Sequence, residues 1–211
     1  MLDKGDLDEL KAVFDTRLID ARGGDDKRSA LAFDLCPDPL ARWLLAQGAD
    51  LYATNTAGDT PLHLRACSWR GRIEVLLELG ADVNRPSASG ATPLHDAVRC
   101  HRAGSTGVLL AHGARVDAVD AQGLTPLELA LKTCRNAQLT EMIVIAGKLL
   151  AAGARISAPM KEHVRMIGTR FEQSRAVFSA EHVAAASAAL DALFALFEVT
   201  PVAMKAPLHR R

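Results

Sequence analysis

The sequence predicts an all-α protein, a solenoid of stacked helix pairs continued at its C-terminal end by further helices. Three observations predict it. The phrase "LLAQGAD" at Leu44–Asp50 returns as "LLELGAD" at Leu76–Asp82, "LLAHGAR" at Leu109–Arg115 and "LLAAGAR" at Leu149–Arg155. Its period is about 33 residues until the last, longer interval. A partner phrase precedes each copy: "TPLH" at Thr60 and at Thr92, "TPLE" at Thr125, and a worn "SALA" at Ser29. Beyond Ala158 the repeat stops, yet apolar residues keep a helical spacing.

Each unit can be read physically. Threonine before proline is a favourable N-cap followed by a residue whose missing N–H costs nothing in a first turn, so Thr60, Thr92 and Thr125 each begin a helix. A second helix follows and ends at the glycine of the repeated "GA" phrase, which can adopt the left-handed closing conformation. The link "ADVNRPSASGA" carries turn formers and no helical period, which predicts an extended, hairpin-like excursion. A unit this small cannot bury its apolar faces alone and must stack on its copies.

These residues resemble the ankyrin repeat, because the TPLH and LL-x-x-GAD elements recur together at its period, with a VN after one of them. The resemblance implies an array over residues 1–156: a half-repeat cap at 5–15 from "GDLDELKAVFD", then repeats at about 29–50, 60–82, 92–115 and 125–155. Three departures stand out. Arg65 takes a position the family gives to a small alanine, Gly71 arrives late, and "LKTCRNAQLTEMIVIAGK" lengthens the last repeat. Residues 157–211 are expected to form a helical C-terminal cap. Ser157 caps one helix with Val164, Ile167 and Phe171 on its apolar face; the next, after Ser179, carries Val183, Leu190, Leu193, Phe194 and Phe197.

Composition limits the function classes. The chain has 211 residues, 49% hydrophobic and 24% charged, enough for a folded core. Lys+Arg and Asp+Glu are 25 each, so no global charge points to nucleic acid or an anionic membrane. The N-terminal stretch lacks a positive region followed by an apolar run, and the expectation is a cytoplasmic protein, monomeric when free. Cys36, Cys67, Cys100 and Cys134 show no CxxC spacing and read as reduced packing thiols.

No metalloprotease, phosphate-loop, dinucleotide or nucleophile-elbow motif occurs, so catalytic residues, cofactors and metals are all expected to be none. "AGSTG" at Ala103–Gly107 reads as a joint between two helices. His63 and His95 are expected to bond locally at their TPLH turns. Glu128, replacing that histidine, has no acid or base partner. What remains is surface. The resemblance implies a concave face of hairpin tips and first helices, whose candidate partner-binding residues are Tyr52, Asn55, Arg65, Trp69, Arg70, Arg85, Asp96, Arg99, His101 and Arg102. Aromatic and arginine side chains are the usual anchors of protein interfaces. The expected function is a non-enzymatic protein-binding module, as an immunity or inhibitor protein against a cognate toxin or effector. The alternative is a small-ligand protein or enzyme with a pocket between the last repeat and the C-terminal helices.

Overall fold

In a computed structural model of the chain, which describes residues 4–12, 14 and 19–201, the two phrases of the three later repeats become two layers of helices. The N-terminal elements are α1 (Lys4–Ala12), a two-residue antiparallel hairpin pairing Arg22–Gly23 with Arg28–Ser29, a 3-10 turn at Ala30–Ala32, and α2 (Asp38–Ala46). The half-repeat cap expected at 5–15 includes residues 13 and 15, which lie outside the described residues; what is described is a helix packed on α2.

Three first helices follow the TPLH-like phrases: α3 (Pro61–Cys67), α5 (Pro93–Arg99) and α7 (Pro126–Thr133). Each has its threonine extended at the N-cap and its proline in the first turn. Their partners are α4 (Glu74–Glu78), α6 (Ala103–Ala111) and α8 (Leu139–Ala151). At the ends of α2, α4, α6 and α8, Gly48, Gly80, Gly113 and Gly153 take φ between 84° and 95°, the left-handed closure that the recurrent phrase predicts. The worn "SALA" copy forms only a 3-10 turn, and "AGSTG" is the opening of α6 rather than a joint between helices.

The links are stacked turns rather than paired strands. Asn55, Ser87 and Asp120 each donate a backbone N–H across the tip, to Asp59, Ala91 and Leu124. Successive tips touch directly: the Ala121 N–H donates to the Ser89 carbonyl at 2.9 Å, and a Cβ on Gly58 would overlap Ala88.

The two C-terminal helices, α9 (Ala158–Ser174) and α10 (Ala180–Leu196), are N-capped by Ser157 and Ser179, whose hydroxyls accept from the Met160 and His182 amides. Helix α9 packs on α7 as α7 packs on α5, and α10 packs on α8 as α8 packs on α6. The added length of the last repeat becomes a 3-10 turn at Asn136–Gln138 and a longer α8. The Asn136 amide there donates to the Ser174 hydroxyl at 2.6 Å, tying the insertion to α9. Met160, Val164, Ile167 and Phe171 meet Leu190, Leu193, Phe194 and Phe197 in one continuous core with the repeats. Residues 202–211, the end of the expected cap, lie outside the described residues. No described helix is long and apolar enough to cross a membrane.

Candidate protein-binding groove

The tips and first helices of the N-terminal half frame an open cleft of about 530 Å³. One wall comes from Asp26, Arg28, Asp34 and the tip Asn55–Asp59, the floor from α3, and the far wall from Asp96 and Arg99 of α5 with Arg102 just beyond it. Trp69 stands at the edge, 78% exposed, with the Arg102 guanidinium stacked 4.6 Å from its ring centroid. Arg102 is aimed by its Nε, which donates to the Cys67 carbonyl at 3.0 Å. Arg99 is aimed by Asp96, whose carboxylate accepts its Nη2 at 2.7 Å. Burial pushes the Asp96 carboxyl above its ordinary value, and the Arg99 hydrogen bond works against that.

Of the ten residues singled out from the sequence, the groove gathers Asn55, Trp69, Asp96, Arg99 and Arg102. Two of these are constrained. Asn55 spends its side-chain oxygen on the Ala57 and Asp59 amides, so it builds the tip. Asp96 is 6% exposed and serves the groove through Arg99. Tyr52 and Arg85 form a separate pair, the guanidinium 4.5 Å from the ring centroid, and the Tyr52 hydroxyl donates to the Gly80 carbonyl at 3.0 Å. Arg70 is exposed on the loop between α3 and α4, outside the cleft lining.

Arg65 corrects the expectation most sharply, since it is fully buried and cannot meet a partner. Its guanidinium donates to three backbone carbonyls: Leu31 at 2.7 Å, Arg72 at 2.9 Å and Cys36 at 3.3 Å. A forked five-donor group is satisfied by converging carbonyls without any acid, the option sequence reasoning omitted. Burial lowers its pKa, opposed first by the neighbouring Cys36. Gly71 explains itself beside it, because a Cβ there would collide with the Arg65 carbonyl.

His101 is the second correction. It is 4% exposed with φ of 53°, and forms the left-handed closure of α5. Its N–H donates to the Val98 carbonyl at 3.0 Å, and the Arg102 N–H donates to the Ala97 carbonyl at 2.8 Å, so a histidine stands where glycine is usual. The Arg99 and Ala130 carbonyls lie near its ring, though neither nitrogen makes a hydrogen bond of ordinary geometry. Burial holds its pKa below the ordinary imidazole value. His101 borders a second cleft of about 370 Å³, which opens beside α6 where α4 is only five residues long. Trp69 and Arg102 border both clefts and form the ridge between them.

The two TPLH histidines do more than bond locally. A backbone N–H can only donate, so the Thr60 and Thr92 amides, 3.3 and 3.1 Å away, require an unprotonated Nδ1 on His63 and His95. Each Nε2–H therefore donates to the next repeat, to the Ala91 and Leu124 carbonyls, both at 3.0 Å. In the last copy Glu128 replaces the histidine, and the Thr125 hydroxyl accepts the Glu128 amide directly.

The thiols correct the sequence reading as well. Cys67 and Cys100 are joined in a disulfide across adjacent repeats, while Cys36 and Cys134 are free and buried. Helix axes spaced as in ordinary packing still allow facing residues at their ends to converge, and here the Cα atoms are 5.2 Å apart, within disulfide range. Sequence reasoning also missed Asp26, Arg28, Asp34 and Asp59 as groove residues. Asp59 carried a signal, its place directly before a TPLH phrase. The other three did not, because the worn first copy hides where its chain runs.

A cleft of about 170 Å³ lies between α9 and α10, lined by Glu172, Arg175 and Asp191 among others. No group of three or more metal-ligating side chains occurs among the described residues. Residues 30–120 match the family model described as ankyrin repeats (3 copies). No curated protein matches the chain.

Proposed function

Because this chain is an ankyrin-repeat protein over residues 30–120, a class of array that generally mediates protein–protein interaction, we propose that its groove binds a protein partner through the Trp69–Arg102 ridge. The observation that carries this reading is the exposed, pre-positioned aromatic–guanidinium stack at the edge of an open cleft. Such residues dominate interface energetics, and their fixed orientation reduces the ordering cost of binding. Asp26, Arg28, Asp34 and Asp59 on one side and Arg99 and Arg102 on the other give the groove a mixed-sign lining, suited to a folded protein and ill suited to a polyanion. The finer reading is an inhibitory or immunity role, the groove occluding a cognate toxin or effector in the cytoplasm.

The test is affinity capture with the full chain beside Trp69→Ala and Arg175→Glu variants, with bound proteins identified by mass spectrometry. The reading expects a partner retained by the parent and by Arg175→Glu, and lost with Trp69→Ala. A partner retained by Trp69→Ala and lost with Arg175→Glu would move the interface to the C-terminal helices. For the finer role, the purified partner's own activity is measured with the chain added, and an unchanged activity excludes inhibition.

A further inference from the structure

We propose that Cys67 and Cys100 are a reversible dithiol–disulfide pair, entered at Cys67 by low-molecular-weight disulfides, whose state sets the position of the Trp69–Arg102 ridge. The four cysteines each follow the first phrase of a repeat by a few residues, yet their surroundings differ. Cys36 and Cys134 are 8% and 0% exposed, and burial pushes both thiols up, Cys134 to about 12. Such thiols stay protonated and inert. Cys67 and Cys100 are half-buried, and Cys67 also lines the open groove. Arg99 Nη2 lies 4.0 Å from the Cys67 sulfur, so a thiolate formed there faces a guanidinium, the setting of reactive cysteines.

The chemistry balances as two exchanges. The Cys67 thiolate attacks a small disulfide, forming a mixed disulfide and releasing one small thiolate. The Cys100 thiolate then attacks the Cys67 sulfur, closing the cross-link and expelling the second small thiolate. Two cysteine thiols are oxidised, one small disulfide becomes two thiols, and the two cysteine protons pass to them. A reducing thiol reverses both steps.

The link to the ridge is short. The Cys67 carbonyl holds Arg102, which in turn stacks on Trp69. Opening the bond releases the end of α3 from the end of α5, the two points on which that contact depends. The groove's binding role is not needed for this inference, and its test uses the protein alone, so either can fail without the other.

The reduced full chain is mixed with oxidised glutathione under native conditions and followed by mass spectrometry with thiol alkylation. The expected product is lighter by two hydrogens, keeps free thiols only at Cys36 and Cys134, and returns to the starting mass with dithiothreitol. Peptide mapping of early quenched samples should place glutathione on Cys67 about tenfold more often than on Cys100. In a Trp43→Phe background the Trp69 emission should differ between the two states, and Cys67→Ser with Cys100→Ser should abolish that difference. Four free thiols after treatment, a product that dithiothreitol cannot reopen, or glutathione arriving first at Cys100 would overturn the pair as proposed. Identical Trp69 emission in the two states, with circular dichroism unchanged, would overturn its coupling to the ridge.

Discussion

Arg65 shows how one residue can be misread when its charge is considered without its geometry. A long cation at a small-residue position suggests a surface group, since burying an unpaired charge is costly. Three carbonyls converge on it instead and join α3 to the preceding copy and to the Ser68–Arg72 loop. Arg65→Ala should therefore destabilise the fold by roughly 3 kcal/mol, because three buried carbonyls lose their donor together. Arg65→Lys should recover only part, lacking the fork. Chemical denaturation of both variants measures this. Equal stability of parent and alanine variant would mean that water replaces the guanidinium. Gly71→Ala should be destabilising for the same reason, through displacement of the Arg65 carbonyl.

At the scale of an element, buried histidines at the two ends of α5 make stability depend on pH. Burial lowers the His95 and His101 pKa values, the largest cause in each case. Near the ordinary value of 6.5 the unfolded chain binds protons that these folded sites refuse. Their contribution is thus complete above about 6.5 and is lost as pH falls below it, levelling off under the lowered folded values. Asp96 has the opposite sign: its raised carboxyl costs stability as pH rises from the ordinary 3.8 through the folded value. Melting temperature should fall on acidification from about pH 7 to about pH 5, and His95→Gln should flatten that slope. A slope unchanged in the variant would remove His95 from the account. The ridge belongs to this scale too, since a loop and a helix end build it together. Once a partner is in hand, Trp69→Ala and Arg70→Glu should each weaken binding by about 2 kcal/mol with the fold intact. Isothermal titration checks it, and Arg70→Glu binding like the parent would confine the interface to the cleft proper.

For the whole molecule, the C-terminal helices carry on the two layers of the repeats, α9 on α7 and α10 on α8. Deleting residues 158–211 should leave the apolar faces of α7 and α8 in water, causing aggregation or a large drop in melting temperature. A truncated chain that stays monomeric and melts unchanged would show that the repeats close on themselves. Reduction should also lower the melting temperature, through loss of the cross-link between adjacent repeats, by a free energy of roughly 2–4 kcal/mol. No shift with reductant would mean that stacking alone holds α3 against α5.

The sequence by itself determined the helix pairs, their order and their stacking, because those follow from local chemistry: threonine and proline starting helices, glycine ending them, apolar faces left for neighbours. It also marked Arg65, Gly71 and the lengthened last repeat as departures from the pattern. Only the tertiary structure decided what those departures do, since each outcome depends on groups about one repeat away. Arg65 became interior because the Leu31 and Cys36 carbonyls happen to point at it. Cys67 and Cys100 became a bonded pair because two helix ends converge to 5.2 Å. The groove drew Asp26, Arg28 and Asp34 from a worn copy whose path no local signal records. Periodicity specifies which surfaces must be covered, while the atoms brought together across repeats are set by packing.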